Sequence, residues 1–87
     1  MYYVYILRLR DGSYYSGSTR SVTERLGYHN ARKVKSTRNK LPCILMYIEK
    51  FETRSEAQTR EYQIKKWKSR KAIERLIINT PLSGPIV

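Results

Sequence analysis

The sequence predicts a small α+β domain in which a three-stranded antiparallel sheet is flanked by helices, in the order β-β-α-β-α-α. Apolar and aromatic residues from Tyr2 to Leu9 and from Tyr14 to Ser18 are separated by a turn sequence, which is typical of a β-hairpin. A serine or threonine is followed three positions later by a glutamate at two places, which marks two helix starts. The 87 residues suffice for one domain with a thin core. We expect it to span residues 1–80, with an irregular, proline-containing tail over 81–87.

The first hairpin places tyrosines at positions where they can share one side of the sheet. A three-residue loop over 11–13 would pair Leu9 with Tyr15 and bring Tyr5 to the same face as Tyr15. A two-residue turn would put the two tyrosines on opposite faces. We predict the odd-length loop, or an equivalent bulge, which brings two phenols to one site. Simple cross-strand packing of aromatic side chains is the alternative interpretation.

The first helix carries two polar residues that point the same way. Ser21 and Glu24 have the spacing of a capping box, and the helix should run from about Val22 to Ala31. Arg25 and His29 lie four residues apart, which places them on one helical face. Such a pair is weak evidence alone, because a histidine in this position is more often a surface or structural residue.

The middle of the chain alternates between basic and apolar character. Residues 32–40 are rich in lysine and arginine and should form a loop. Pro42 then opens a third strand over 43–51, whose β-branched and aromatic content suits burial on both faces. Thr53 repeats the capping signal before a second helix over 54–68. Ser69 should cap a last helix that reaches about residue 78.

The second helix brings a carboxylate close to its apolar stripe. Residues Ala57, Glu61, Ile64 and Lys68 recur at helical spacing, so Glu61 should lie on or beside the face that packs on the sheet. A carboxylate there needs a cationic side chain or a metal ion as partner. An ordinary ion pair between Glu61 and Lys65 explains the pattern equally well.

Composition favours a polyanionic partner. The formal charge is +11 and the isoelectric point is about 10.1, which suits nucleic acid, because cations that neutralise phosphates release counterions. The single cysteine, Cys43, excludes an intramolecular disulfide, and no His/Cys spacing typical of zinc sites occurs. Without an export signal or a long apolar run, we expect a cytoplasmic protein with no membrane partner.

Basic residues concentrate in two runs that should contact phosphates without reading the base sequence. Their members are Arg32, Lys33, Lys35, Arg38 and Lys40 in the first run, and Lys65, Lys66, Lys68, Arg70 and Lys71 in the second. Tyr62 and Trp67 are candidates for stacking on unpaired bases, although core packing is the expected position for Trp67.

Four motifs together resemble the GIY-YIG nuclease superfamily, and most closely its small stand-alone bacterial members. These are "YVY" at 3–5, "YSG" at 15–17, "TERLGYHN" in the first helix and "REYQIKKW" in the second. The resemblance covers residues 2 to about 78. Tyr3-Val4 replaces the Gly-Ile of the first family motif, and Ser16 replaces the isoleucine of the second.

The resemblance implies a chemistry for five residues. In the family, one glutamate, here Glu61, holds a single divalent ion, Mg²⁺ or Mn²⁺, during hydrolysis of a DNA phosphodiester. Arg25 would stabilise charge on the phosphate, and Tyr5 would take a proton from the attacking water. Tyr15 and His29 would orient groups or relay the proton. If Tyr5 is the base, the rate is expected to rise between pH 7 and 9.

The sequence therefore predicts a metal-dependent DNA endonuclease or nickase, selective for DNA structure and acting in repair or recombination. RNA is not excluded as a substrate, no small-molecule cofactor is expected, and a protein partner could supply targeting. The alternative is a non-catalytic nucleic-acid-binding module on the same fold. A ribosome-associated protein also suits the charge, but it leaves the carboxylate of Glu61 unexplained.

Overall fold

The computed structural model describes residues 1–79 and confirms the predicted order of elements. These are β1 (Tyr2–Arg8), β2 (Tyr14–Thr19), α1 (Val22–Asn30), β3 (Ile44–Phe51), α2 (Arg54–Trp67) and α3 (Arg70–Asn79). The expected tail over 81–87 and the domain end at residue 80 lie outside the described residues. Within residues 1–79, no helix is both long enough and apolar enough to cross a membrane.

The sheet has β1 at its centre, in the order β2-β1-β3, and all pairs are antiparallel. Residues Val4 to Leu7 of β1 are at most 1% exposed. The expectation that β3 suits burial on both faces is wrong, because β3 is an edge strand. Only Tyr47 is fully buried in it, and Ile44 is 58% exposed.

The hairpin has the predicted parity but a different register. Leu7, rather than Leu9, lies opposite Tyr15, and the loop comprises the five residues 9–13. The Leu9 amide already donates to the carbonyl of the last loop residue, at 2.8 Å, so it belongs to the turn. A shift of two residues preserves the face of every side chain. Tyr5 and Tyr15 therefore share one face, as predicted.

The sheet is covered on both faces, which creates two small cores. The first core combines sheet residues with α2 and α3, and the second combines sheet residues with α1. Their members include Val4, Ile6, Tyr47, Ala57, Ile64 and Ile73 in the first, and Tyr5, Leu7, Leu9 and Leu26 in the second. β2 and β3 form the two edges of the sheet.

The helix starts follow the capping signals, one completely and one in part. Thr53 and Glu56 form a full capping box, in which each side chain accepts a hydrogen bond from the other's backbone N–H. The Ser21 hydroxyl accepts from the Glu24 amide at 3.2 Å, but the Glu24 carboxylate accepts from the Tyr28 hydroxyl instead of returning the bond. Half of the predicted box at α1 is therefore absent.

Candidate active site

The Tyr5 hydroxyl is the centre of a hydrogen-bonded cluster between β1 and α1. Its oxygen lies 3.1 Å from Nε2 of His29 and accepts a hydrogen bond from Nε of Arg25 at 3.4 Å. Arg25 and His29 reach the same atom because they lie one turn apart on α1. Tyr5 is 1% exposed, so these contacts form in a dry environment.

Close packing of Tyr5 against β2 depends on a glycine. Gly17 lies directly opposite Tyr5 in the sheet. A Cβ atom at this position would lie 2.5 Å from the Tyr5 hydroxyl oxygen and 2.7 Å from Cζ. Real side chains do not approach so closely, so the phenol occupies the space that the missing side chain leaves.

His29 is fixed from both sides of its ring. Its Nδ1 lies 2.7 Å from Oγ1 of Thr37, and neither residue is accessible to solvent. Burial and the neighbouring charge of Arg25 lower the pKa of His29, which favours the neutral imidazole at pH 7. Thr37 was not a predicted site residue, because the sequence places it inside a basic loop. Ser36 beside it also carries a hydroxyl, so no local signal distinguishes Thr37.

The environment of Tyr5 disfavours the phenolate. Burial raises the pKa of Tyr5 to about 12, while the hydrogen bond from Arg25 acts in the opposite direction but does not compensate. In the free protein, the positive charge of Arg25 is therefore not enough to make the Tyr5 phenol a base at neutral pH. Proton removal from this phenol needs an acceptor in direct contact, and His29 is in that position.

Tyr15 completes the aromatic part of the cluster. Its ring centroid lies 6.3 Å from that of Tyr5 and 5.1 Å from that of His29, with the latter pair close to perpendicular at 70°. Tyr15 is only partly buried, so it forms the border between the dry cluster and solvent.

Glu61 contacts β2 from the face of the sheet opposite to Tyr5 and Tyr15. Its Oε1 accepts a hydrogen bond from the Ser18 hydroxyl at 2.6 Å, and its Oε2 lies 2.7 Å from Nζ of Lys65. The Lys65 ammonium also lies 5.8 Å from the centroid of the Tyr15 ring. Glu61 thus lies beside the apolar stripe of α2, as predicted, and the Glu61–Lys65 pair of the simpler interpretation is present too. Lys65 links the carboxylate to the tyrosine cluster.

Glu61 is suited to a metal ion that takes few protein ligands. Among residues 1–79 no group of three His, Cys, Asp or Glu side chains is arranged to hold an ion. The Glu61 side chain is 22% exposed, and each of its oxygens keeps a lone pair beyond its contact with Ser18 or Lys65. A hydrated Mg²⁺ or Mn²⁺ with one carboxylate ligand fits this donor set. Lys65 would have to share the carboxylate or move aside.

All ten predicted phosphate-contacting side chains are exposed, from Arg32 to Lys40 and from Lys65 to Lys71. Three of them form ion pairs: Lys65 with Glu61 as described above, Lys40 with Asp11 at 3.5 Å, and Arg70 with Glu74 at 3.3 Å. The expected core position of Trp67 is wrong. This side chain is 37% exposed, and its indole lies under the guanidinium of a neighbouring arginine.

Two arginines that the sequence analysis did not select line a polar cavity of about 390 Å³. Arg20 and Arg54 share it with the hydroxyls of Ser18 and Thr19, next to the Ser18 contact with Glu61. Their signal in the sequence is positional, because each flanks a capping residue at the start of a helix.

Comparison with known proteins places this geometry in a family. Residues 1–76 match the model of the GIY-YIG catalytic domain. A UPF0213 protein from Staphylococcus haemolyticus is 46% identical over 65 residues, which are 74% of this chain and 79% of that protein. A UPF0213 protein from Bacillus licheniformis is 48% identical over 77 residues, 87% of this chain and 78% of that protein.

A solved structure supports the same relationship. The solution NMR structure of a UPF0213 protein from Bacillus halodurans superposes with a TM-score of 0.56 and 39% sequence identity, covering 88% of this chain and 83% of that one. With the family model matched over most of its length, the chain belongs to the GIY-YIG family, among relatives that are small UPF0213 proteins.

Proposed function

We propose that this protein is a metal-dependent DNA endonuclease or nickase that hydrolyses a phosphodiester at the free edge of β2. The observation that carries the proposal is the pairing of a buried Tyr5–His29–Arg25 cluster with an accessible carboxylate, Glu61, linked by Lys65. Membership of the GIY-YIG family supports a nuclease-type activity. The charge of +11 supports a polyanionic substrate.

Glu61 is the residue that would hold the ion, Mg²⁺ or Mn²⁺. When bound, such an ion polarises a phosphate oxygen and stabilises the leaving oxygen. Arg25 and Lys65 would bring positive charge to the phosphate as it gains negative charge in the transition state. Tyr15, at the border of the cluster, would orient the attacking water.

The proton of that water passes to Tyr5 in this mechanism, and Tyr5 passes its own proton to His29. The neutral His29 can accept at Nε2 if it carries its proton on Nδ1 and donates it to Thr37. Arg25 keeps its hydrogen bond to the Tyr5 oxygen during both proton transfers. This concerted transfer avoids a free phenolate, which a pKa of about 12 makes scarce at neutral pH.

Selectivity would be for the shape of the nucleic acid. The exposed cations of the two basic runs are suited to phosphates, which carry no sequence information. Branches, flaps, nicks or ends are the expected targets, in DNA repair or recombination in the cytoplasm. A protein partner that supplies targeting would extend this selectivity.

Cleavage assays with two glutamate variants test the proposal. Supercoiled, flapped and branched DNA, and a matched RNA, are incubated at low salt with Mg²⁺ or Mn²⁺. Glu61→Gln should abolish metal-dependent cleavage while binding persists. Glu49→Gln is the matched control, because one Glu49 oxygen accepts from the Tyr47 hydroxyl and the other from Nε of Arg60. Equal cleavage by Glu61→Gln and wild type would remove Glu61 from the reaction.

A non-catalytic nucleic-acid-binding module is the second candidate. Two observations favour it: the Tyr5 hydroxyl is buried with both partners in place, and Lys65 already neutralises Glu61. Wild-type protein that binds every substrate and cuts none, with either metal, would establish this function instead.

A further inference from the structure

A second cavity, separate from the one lined by Arg20 and Arg54, shares two residues with the candidate active site. It is a groove of about 400 Å³ between the start of β2, the end of α2 and the start of α3. Tyr15 and Lys65 belong both to this groove and to the active-site cluster. A ligand in the groove would therefore lie next to the reacting phosphate.

The walls of the groove are chemically divided. Its apolar part comprises Tyr14, Ile64 and Ile73, and Tyr15 borders it from the next position of β2. Its cationic part lies along α2 and the start of α3, and comprises Lys65, Lys68 and Arg70. The cavity that Arg20 and Arg54 line beside Ser18 is different, because hydroxyl, amide and guanidinium groups dominate it. A sugar-phosphate suits that cavity, whereas the groove suits a ligand with both an aromatic and an anionic part.

The walls of the groove are held in place by contacts of their own. The guanidinium of Arg70 lies 5.7 Å from the centroid of the Tyr14 ring, and its Nε donates to Glu74 at 3.3 Å. The Tyr14 hydroxyl donates to the same carboxylate at 3.2 Å. Lys68 has a left-handed backbone, φ 49°, which ends α2 and sets the angle to α3. The groove is thus largely preorganised for a ligand.

We propose that this groove holds the base of one unstacked nucleotide next to the scissile phosphate, with Lys68 and Arg70 on the adjacent phosphate. This inference rests on the proposed function and gives it a source of selectivity. Bases stack on tyrosine rings without regard to their identity, and cations at the rim contact the backbone. Bases inside a duplex are already stacked and paired, so frayed, flapped or single-stranded segments reach the groove most easily.

Nucleotide binding tests the proposal without any need for cleavage. Protein labelled with ¹⁵N is titrated with thymidine 5′-monophosphate and with 2-deoxyribose 5-phosphate, which carries the same phosphate but no base. The amide signals of Ser16, Ser69 and Ile73 should shift with the nucleotide. Removing the base should weaken binding roughly tenfold. Equal affinity for both probes, or shifts confined to other residues, would overturn the proposal.

Two matched substitutions locate the base. Tyr14→Leu keeps an apolar side chain but removes a stacking surface, so the preference for the nucleotide over the sugar phosphate should fall several-fold. Tyr28→Leu makes the same change on an exposed tyrosine of α1 outside the groove, and the preference should stay as in wild type. If both variants lose it equally, the base binds elsewhere.

A second pair separates charge from base recognition. Lys68→Gly removes a rim cation at a position whose positive φ suits glycine, and Arg32→Gly does the same at φ 63° on another part of the surface. Lys68→Gly should weaken binding of both probes to the groove more than Arg32→Gly. Equal effects would assign the anion to the general surface charge. Base binding without cleavage would refute only the nuclease, and cleavage without base binding would refute only this groove.

Discussion

The two sides of β2 handle different parts of the proposed reaction. On the α1 side, Tyr5, His29 and Thr37 are at most 1% exposed and bonded in series. On the α2 side, Glu61 and Lys65 are partly open, with side-chain exposures of 22% and 51%. A dry interior fixes the direction of a proton transfer, whereas an accessible carboxylate can exchange its lysine for an ion and a phosphate. In the proposed reaction, proton transfer and the binding of the ion would therefore occur on opposite sides of one strand.

The largest effect is expected from removal of the Tyr5 hydroxyl, on the α1 side of β2. Tyr5→Phe should lower the cleavage rate by roughly 10² to 10⁴, the usual contribution of a general base. Tyr47→Phe is the matched control: Tyr47 is also 1% exposed, burial also raises its pKa to about 12, and its hydroxyl donates to Glu49 near the opposite edge. Rates from single-turnover assays, with thermal unfolding as the folding check, decide the matter. Similar losses in the two variants would mean that buried tyrosines matter for the fold alone.

The next largest effect is expected from Gly17, where β2 packs closely against the Tyr5 ring. Gly17→Ala would force Cβ against the Tyr5 phenol, so we expect about 1–3 kcal/mol less stability and a displaced hydroxyl. Gly27→Ala, on the exposed side of α1, meets no atom within 4 Å and should stabilise the helix by about 0.5–1 kcal/mol. Urea unfolding of both variants measures the contrast. Unchanged stability and rate in Gly17→Ala would show that Tyr5 has room to move.

The parts of this arrangement that follow local rules were predictable from the sequence. The helix starts follow capping residues, and the shared face of Tyr5 and Tyr15 follows from strand alternation. Features that depend on contacts distant in sequence were not predictable. Nothing local distinguishes Thr37 from its basic neighbours, because its role exists only where α1 carries His29 beneath it.

The two wrong expectations, burial of β3 on both faces and a core position for Trp67, also concern contacts distant in sequence. The apolar sequence of β3 is compatible with a central strand, and only the pairing of the whole sheet puts it at an edge. Trp67 was expected in the core by residue type, but Ile64 is the buried residue near the end of α2, and Trp67 is 37% exposed.

The contact that orients His29 offers a smaller test. Thr37→Val keeps the shape of the side chain but removes the hydroxyl beside Nδ1, so the ring loses its fixed tautomer. We expect the cleavage rate to fall about tenfold, because misplacement of a reacting group weakens transfer without abolishing it. Thr59→Val, on the exposed surface of α2, is the control. A loss of stability with an unchanged rate would reduce Thr37 to a structural role.

The pH profile gives the smallest effect and separates two ways of using Tyr5. The sequence led us to expect a rate that rises from pH 7 to 9, as for a phenolate. With its pKa raised to about 12, that phenolate would increase about tenfold per pH unit with no plateau in this range. His29 has a lowered pKa and is already neutral at pH 7, so a transfer to His29 gives a level rate from pH 7 to 9. The rate should then fall only below the ordinary value of about 6.5, as His29 gains a proton and can no longer accept one. Single-turnover rates at constant ionic strength measure this, with duplicate points at pH 7.5 after incubation at each extreme to exclude unfolding. A tenfold rise per unit would show that Tyr5 acts as a free phenolate and that His29 only holds it in place.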